Sequence, residues 1–256
     1  MQPLHASAPE IASFSARLKG YVNAGLAFLY PECCQLCHST RATSAEGYVC
    51  ADCKKTIKLL EPPFCNRCGR PYEGAITNRF ECENCRDLNL GFSSARSAAL
   101  AREPLLDIIH QYKYNRAFWF ESLLAELLIS RAAPELGNNW DFLVPIPLHP
   151  TREREREFNQ AERLAACLSR ATGIPVYRRL LRRTRQTRSQ TLLSRDERLI
   201  NMKNAFALRN GEKLQGGKFV LIDDVFTTGA TAGACAKVLR AADADEVCVW
   251  TVARGL

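Results

Sequence analysis

No apolar run in this 256-residue chain approaches the roughly eighteen residues that a membrane-crossing helix requires. The commoner nucleotide signatures are missing too. There is no G-x-x-x-x-G-K-[ST] loop to cradle a triphosphate and no G-x-G-x-x-G string to open a dinucleotide fold. The start imitates a cleavable secretory leader, and the expectation is that it is not one. Arg17 and Lys19 precede the apolar stretch 21–30 and Cys33 follows, but Pro31 and Glu32 stand where cleavage needs small residues. Spaced as a helix, Ile11, Phe14, Leu18, Tyr21, Val22, Leu26 and Leu29 form one apolar stripe that Pro31 ends, which predicts a packing helix within residues 1–31. These absences lead to the expectation of a soluble cytoplasmic protein in a reducing compartment.

What is present is 46% hydrophobic, enough for a medium α/β domain and a smaller appendage. The formal charge of +8 arises from an arginine-rich middle: residues 178–188 hold six arginines and no acid. Such a surface attracts phosphate, on a small molecule or on nucleic acid, and charge alone does not choose.

Nine of the twelve cysteines fall between Cys33 and Cys85. Eight form C-x-x-C pairs: Cys34 with Cys37, Cys50 with Cys53, Cys65 with Cys68 and Cys82 with Cys85. A C-x-x-C turn aims two thiolates at one ion, and two turns complete the tetrahedral sulfur shell that Zn²⁺ prefers, so eight ligands predict two ions. The twelve- and thirteen-residue spacers favour sequential pairing into two similar ribbons within residues 32–90. Interleaving, first pair with third, satisfies the same count. Cys33 is an alternative to Cys34, less well spaced from Cys37. Four sulfurs leave no open position for water, so the sites read as structural. Cys167, Cys235 and Cys248 sit in apolar contexts and read as core residues.

From about Gly91 to the end at 256 the composition changes. Helical pattern over 104–128, 159–171 and 231–242 alternates with strand-like runs at 142–147, 219–223 and 246–253. This predicts an α/β domain, a parallel sheet with helices on both faces, which binds ligands beyond the carboxyl ends of its strands.

The run 220–231 brings Asp223 and Asp224 to a strand end and continues through Thr227, Thr228, Gly229, Ala230 and Thr231 into an alanine-rich helix. Adjacent carboxylates can accept hydrogen bonds from vicinal ribose hydroxyls, while loop N–H groups at a helix start hold a phosphate. Residue by residue, the string also fits an ordinary strand, turn and threonine cap with solvated aspartates. As a whole it resembles the phosphoribosyl-pyrophosphate motif of type I phosphoribosyltransferases.

Two more segments, with the four cysteine knuckles, extend the resemblance to the ComF family over most of the chain. Val144-Pro145-Ile146-Pro147-Leu148-His149-Pro150, followed by Arg152, Arg154, Arg156 and Phe158-Asn159-Gln160-Ala161, is similar to the family's strand, pyrophosphate loop and R-G-F-N-Q segment, with Glu157 in place of the glycine. Residues 183–206 resemble its T-x-x-Q-x-x-L, R-x-x-N and A-F pattern, and His110-Gln111-Tyr112-Lys113-Tyr114 resembles another family feature, in which Lys113 reads first as a helix-surface lysine and second as one that reaches a phosphate.

The resemblance implies a type I phosphoribosyltransferase-like fold behind a double zinc ribbon and a site for phosphoribosyl pyrophosphate with Mg²⁺. Asp223 and Asp224 would hold the ribose, residues 227–231 the 5′-phosphate, and Leu148, His149, Pro150, Thr151 and Arg152 the pyrophosphate. Arg183, Arg185, Gln190 and Arg198 would belong to a flexible closing loop. It also implies a role in natural transformation, the uptake and use of DNA, through an acceptor that it does not name. The competing class is a non-catalytic single-stranded-DNA-binding accessory protein that keeps the pocket for regulation or for gripping a DNA end and would use the arginine run, the zinc ribbons and aromatics such as Phe118, Trp119 and Phe120. In the helical pattern those aromatics also read as core.

Overall fold

The computed structural model describes residues 32–72, 74, 80–86, 89–185, 204–209 and 214–255, so the helix expected within 1–31 lies outside the described residues. The strands are β1 (Ser94–Leu100), β2 (Phe142–Pro145), β3 (Leu181–Arg183), β4 (Phe206–Leu208), β5 (Lys218–Phe226) and β6 (Glu246–Arg254). The helices are α1 (Ala51–Thr56), α2 (Glu83–Arg86), α3 (Leu105–Tyr114), α4 (Glu121–Leu136), α5 (Pro150–Arg156), α6 (Gln160–Thr172) and α7 (Ala230–Ala241).

Four strands build a wholly parallel sheet in the order β1-β6-β5-β2, and β3 and β4 form a separate antiparallel pair. The central strands β5 and β6 are near-continuous apolar runs, as burial on both faces demands. Alternation sorts their side chains. Val220, Ile222, Cys248 and Trp250 join a core with α4 and α6, while Phe219, Leu221, Val247 and Val249 join one with α7 and the β3-β4 pair. The expected α/β architecture is therefore observed, with helices on both faces.

Local sequence explains most element ends. Asn159 caps α6 by accepting a hydrogen bond from Ala161 N at 3.0 Å, and its amide donates to Ile146 O at 3.1 Å, which ties the helix start to the segment after β2. The helical pattern over 104–128 proves to be two helices. Asn115 and Arg116, the latter at φ 53°, break it, and a 3₁₀ turn at Phe118–Phe120 restarts it. Strand β5 continues past both aspartates to Phe226.

Strand β1, Ser-Ala-Arg-Ser-Ala-Ala-Leu, has little intrinsic strand preference. It is a strand because it pairs with β6 on one side and receives residues 58–60 on the other, through Leu60 N to Ala98 O at 3.0 Å and Leu100 N to Lys58 O at 2.8 Å. The cysteine-bearing segment thus covers an edge that would otherwise be open. Among the described residues no helix is long and apolar enough to cross a membrane.

Candidate functional site

The thiols assemble as two groups, Cys34, Cys37, Cys50, Cys53 and Cys65, Cys68, Cys82, Cys85, with ligand atoms within 4.8 Å of one another in each. Sequential pairing therefore holds, and Cys33 stands outside both groups. Sulfur separations of 3.9 Å (Cys37 to Cys50), 3.7 Å (Cys68 to Cys82) and 3.6 Å (Cys82 to Cys85) match the edge of about 3.8 Å that a tetrahedron with Zn–S bonds of about 2.3 Å requires.

Backbone N–H groups point at the sulfurs: Cys50 N lies 3.3 Å from Cys34 Sγ and Cys82 N lies 3.3 Å from Cys65 Sγ. Although burial opposes ionisation of Cys34 and Cys65, backbone N–H groups, Cys50 foremost at Cys34 and Cys68 then Cys82 at Cys65, bring both thiols below the ordinary value. The hydroxyl and N–H of Ser39 hold Cys37 down to about 5. Burial pushes Cys53 up to about 12, Cys82 up to about 11 and Cys85 up as well, with neighbouring sulfurs adding to each. Clustered sulfurs resist a full set of negative charges, and a divalent ion relieves that conflict. The two Cys₄ groups are those of two structural zinc ions.

A cavity of about 580 Å³ opens at the carboxyl ends of the strands. Asp223, Asp224, Thr227, Gly229, Ala230 and Thr231 line it from β5 and the turn into α7; Leu148 and Arg152 line it from the segment after β2, and Arg183 from β3. Three stretches far apart in sequence thus meet around one space. Thr228 stands behind the lining, its hydroxyl accepting from Ala230 N at 3.4 Å. Gly229 has φ +79°, and a Cβ there would come within 2.7 Å of the Phe226 ring, so both conformation and space require glycine.

The expected pyrophosphate loop is only partly a loop. Pro150 begins α5, and His149 caps it, Nδ1 accepting from Thr151 N at 3.3 Å. His149, Pro150 and Thr151 are not among the residues lining this cavity. Arg183, expected in a mobile loop, is a strand residue with its guanidinium 5.4 Å over the Phe206 ring. Arg185 is exposed and does not line the cavity, and Gln190 and Arg198 lie outside the described residues.

Lys113 departs from its expected place on the helix surface. It points inward from α3, and its Nζ forms an ion pair with the buried Asp224 carboxylate. Burial, and then the negative charge of Asp224, push the Asp223 carboxyl up to about 8, against the opposing pull of Lys113. Burial, and then the charge of Arg152, weigh against the guanidinium of Arg183. The cavity therefore brings the cations Arg152 and Arg183 together with the paired acids Asp223 and Asp224. Arg156 also lines the cavity, donating to Tyr114 Oη at 3.0 Å and lying 4.7 Å over that ring.

Glu157, which replaces the family glycine, has φ 65° at the end of α5. That left-handed conformation is why glycine suits the position. Its exposed carboxylate turns to Arg116, 2.6 Å away, and does not line the cavity. Of the aromatic triplet, Phe120 is fully buried, whereas Phe118 and Trp119 are about two-fifths exposed at 40% and 41%.

A second hollow of about 380 Å³ adjoins the first, sharing Pro147, Leu148 and Arg183. Arg178, Arg179, Arg182 and Arg209 line it together with Glu153 and Glu162, and Arg178 lies 3.4 Å from Glu162.

Comparison with known proteins fits this arrangement. The double zinc ribbon domain family matches residues 25–87, the stretch that carries both cysteine groups. Competence protein F of Haemophilus influenzae is 31% identical over 215 residues, 82% of this chain and 92% of that protein. DNA utilization protein YhgH of Escherichia coli is 32% identical over 230 residues, 88% of this chain and 98% of that protein. Competence protein ComFC of Bacillus subtilis is 30% identical over 212 residues, covering 80% and 84%.

Proposed function

The chain belongs to the ComF family, and on that premise we propose that its main cavity binds phosphoribosyl pyrophosphate with Mg²⁺ in the service of DNA uptake and use. The observation that carries this reading is the convergence of Asp223 and Asp224, the 227–231 turn, Leu148 with Arg152, and Arg183 on one space.

In this reading the carboxylates of Asp223 and Asp224 accept hydrogen bonds from the ribose hydroxyls, and Lys113 holds Asp224 in place. The turn at Gly229 brings backbone N–H groups and the start of α7 to the 5′-phosphate. Arg152 and Arg183 face the pyrophosphate and offset its charge. Mg²⁺ would neutralise pyrophosphate oxygens, keeping mostly water and ligand oxygens around itself. The fold associated with this motif transfers the ribosyl group to an acceptor, and His110, Tyr114 and Arg156 also line the cavity.

Calorimetric titration of the zinc-loaded protein with phosphoribosyl pyrophosphate and Mg²⁺ tests the reading. Saturable binding is expected in wild type and its loss in Asp223→Asn, Asp224→Asn; a well-folded wild type that does not bind rejects it.

The arginine hollow favours a second reading, in which a nucleic-acid strand lies along Arg178, Arg179, Arg182 and Arg209 beside the cavity. Replacing Arg178, Arg179, Arg182 and Arg209 by alanine should then reduce single-stranded DNA affinity and flatten its salt dependence by about 0.7 unit of slope for each phosphate no longer neutralised. Unchanged binding counts against it.

A further inference from the structure

Arg254, the last residue of β6, is 6% exposed and reaches three segments at once. Its Nε donates to Cys68 O at 3.0 Å, and Nη2 lies 3.8 Å from Cys68 Sγ. Its Nη1 donates to Phe226 O at 3.3 Å, to Thr227 O at 2.8 Å and to Gly255 O. The guanidinium also lies 4.9 Å over the Phe226 ring, the ring that Gly229 must clear. A second-site metal ligand and the base of the phosphate turn therefore share one planar fork.

We propose that Arg254 is a positioning residue that couples the second cysteine site to the phosphate turn, so that zinc at Cys65, Cys68, Cys82 and Cys85 and ligand in the cavity favour each other. The coupling rests on the reading of that cavity as a phosphoribosyl-pyrophosphate site. A metal ion fixes the Cys65–Cys68 knuckle and with it the Cys68 carbonyl that orients the guanidinium. When the knuckle relaxes, buried donors lose a partner, and an arrangement that satisfies them must move the Phe226 and Thr227 carbonyls as well. Among the described residues, the side-chain bonds at Cys34, Cys37, Cys50 and Cys53 stay within their own group or its immediate neighbours, and none of them reaches the turn. Linkage makes the effect reciprocal, so ligand must also retain metal.

The test follows thiol alkylation in the whole zinc-loaded protein under mild chelation, cysteine by cysteine by mass spectrometry, with and without phosphoribosyl pyrophosphate and Mg²⁺. The expected result is slower labelling of Cys65, Cys68, Cys82 and Cys85 by about fivefold or more on adding ligand, the first site being unchanged. Arg254→Lys should lose this selectivity while retaining both ions. Ligand that binds yet protects both sites equally, or neither, overturns the proposal.

A second arm needs no ligand. Stripping the second site should speed amide hydrogen exchange across 226–232 in wild type, and exchange indifferent to that metal also overturns the proposal. If calorimetry shows no ligand binding, the reading of the cavity fails, while the exchange arm still decides the coupling. Both arms use wild type, so poor folding of the variant does not change what they decide.

Discussion

The two cysteine sites offer the same four sulfurs and differ in what lies against them. The first rests on α4: Gly47 sits so close that a Cβ would come within 2.7 Å of Ser122 Oγ, and Lys54 reaches Glu126 at 2.9 Å. Cys37 in that site is exposed and Cys53 half-buried. All four sulfurs of the second site are buried. They stand against β1, where Ala95 N donates to Arg67 O at 2.7 Å, and against the phosphate turn through Arg254. One motif used twice thus gives two settings: one group docked onto a helix, the other against β1 and the turn that follows β5. The metal chemistry does not distinguish them; the neighbours do.

The largest expected effect separates the cavity from both metal sites. Lys113→Met leaves the buried Asp224 carboxylate without its cation and should cost about 3 kcal/mol. At about 2–4 °C per kcal/mol, melting should fall by roughly 6–12 °C, with two zinc ions per chain retained. Loss of zinc in this variant would merge regions that the comparison keeps apart.

Next comes the direct contrast. Cys85→Ser should leave one zinc ion and weaken phosphoribosyl-pyrophosphate binding by about tenfold or more, whereas Cys53→Ser should also leave one ion and keep affinity within about threefold. Calorimetry beside metal analysis reads both, and equal losses would erase the difference between the sites.

Asp223 gives a pH-dependent effect confined to the cavity. Burial, and then the Asp224 charge, raise its carboxyl to about 8. Between the ordinary carboxyl range near 4 and about 8, the folded state holds a proton that the unfolded chain has released, so this group lowers stability progressively as pH rises through that window. Asp223→Asn removes the burden. It should raise stability at pH 8.5 and leave it unchanged at pH 4, as paired thermal melts would show. A pH-independent difference would mean that the carboxyl titrates normally.

The smallest effect belongs to the first site's margin. Glu126 is largely solvated and Lys54 only half-buried, so Lys54→Ala should cost at most about 1 kcal/mol in denaturant unfolding and leave ligand affinity unchanged.

The metal sites were legible in the sequence because a C-x-x-C knuckle is a local device, its geometry carried by four residues. The β5 run was legible for a similar reason, since consecutive apolar residues announce a buried strand and a glycine turn its end, although the strand runs on past Asp223 and Asp224 to Phe226. What escaped depends on partners distant in the chain. Strand β1 owes its conformation to β6 and residues 58–60, not to its alanines and serines. Lys113 has the spacing of a surface lysine and is drawn inward only because Asp224 lies across the cavity. Arg254 carries no motif, and its role exists only where the second cysteine site, β6 and the turn meet. Glu157 was a lesser case: the glycine it replaces already hinted at a left-handed backbone there.

The most direct test of the central claim is a crystal structure of the zinc-loaded protein with phosphoribosyl pyrophosphate and Mg²⁺. The account predicts the 5′-phosphate on the 227–231 turn, the ribose hydroxyls on Asp223 and Asp224, and the pyrophosphate facing Arg152 and Arg183. Ligand density in the hollow of Arg178, Arg179, Arg182 and Arg209, with the main cavity empty, would contradict it.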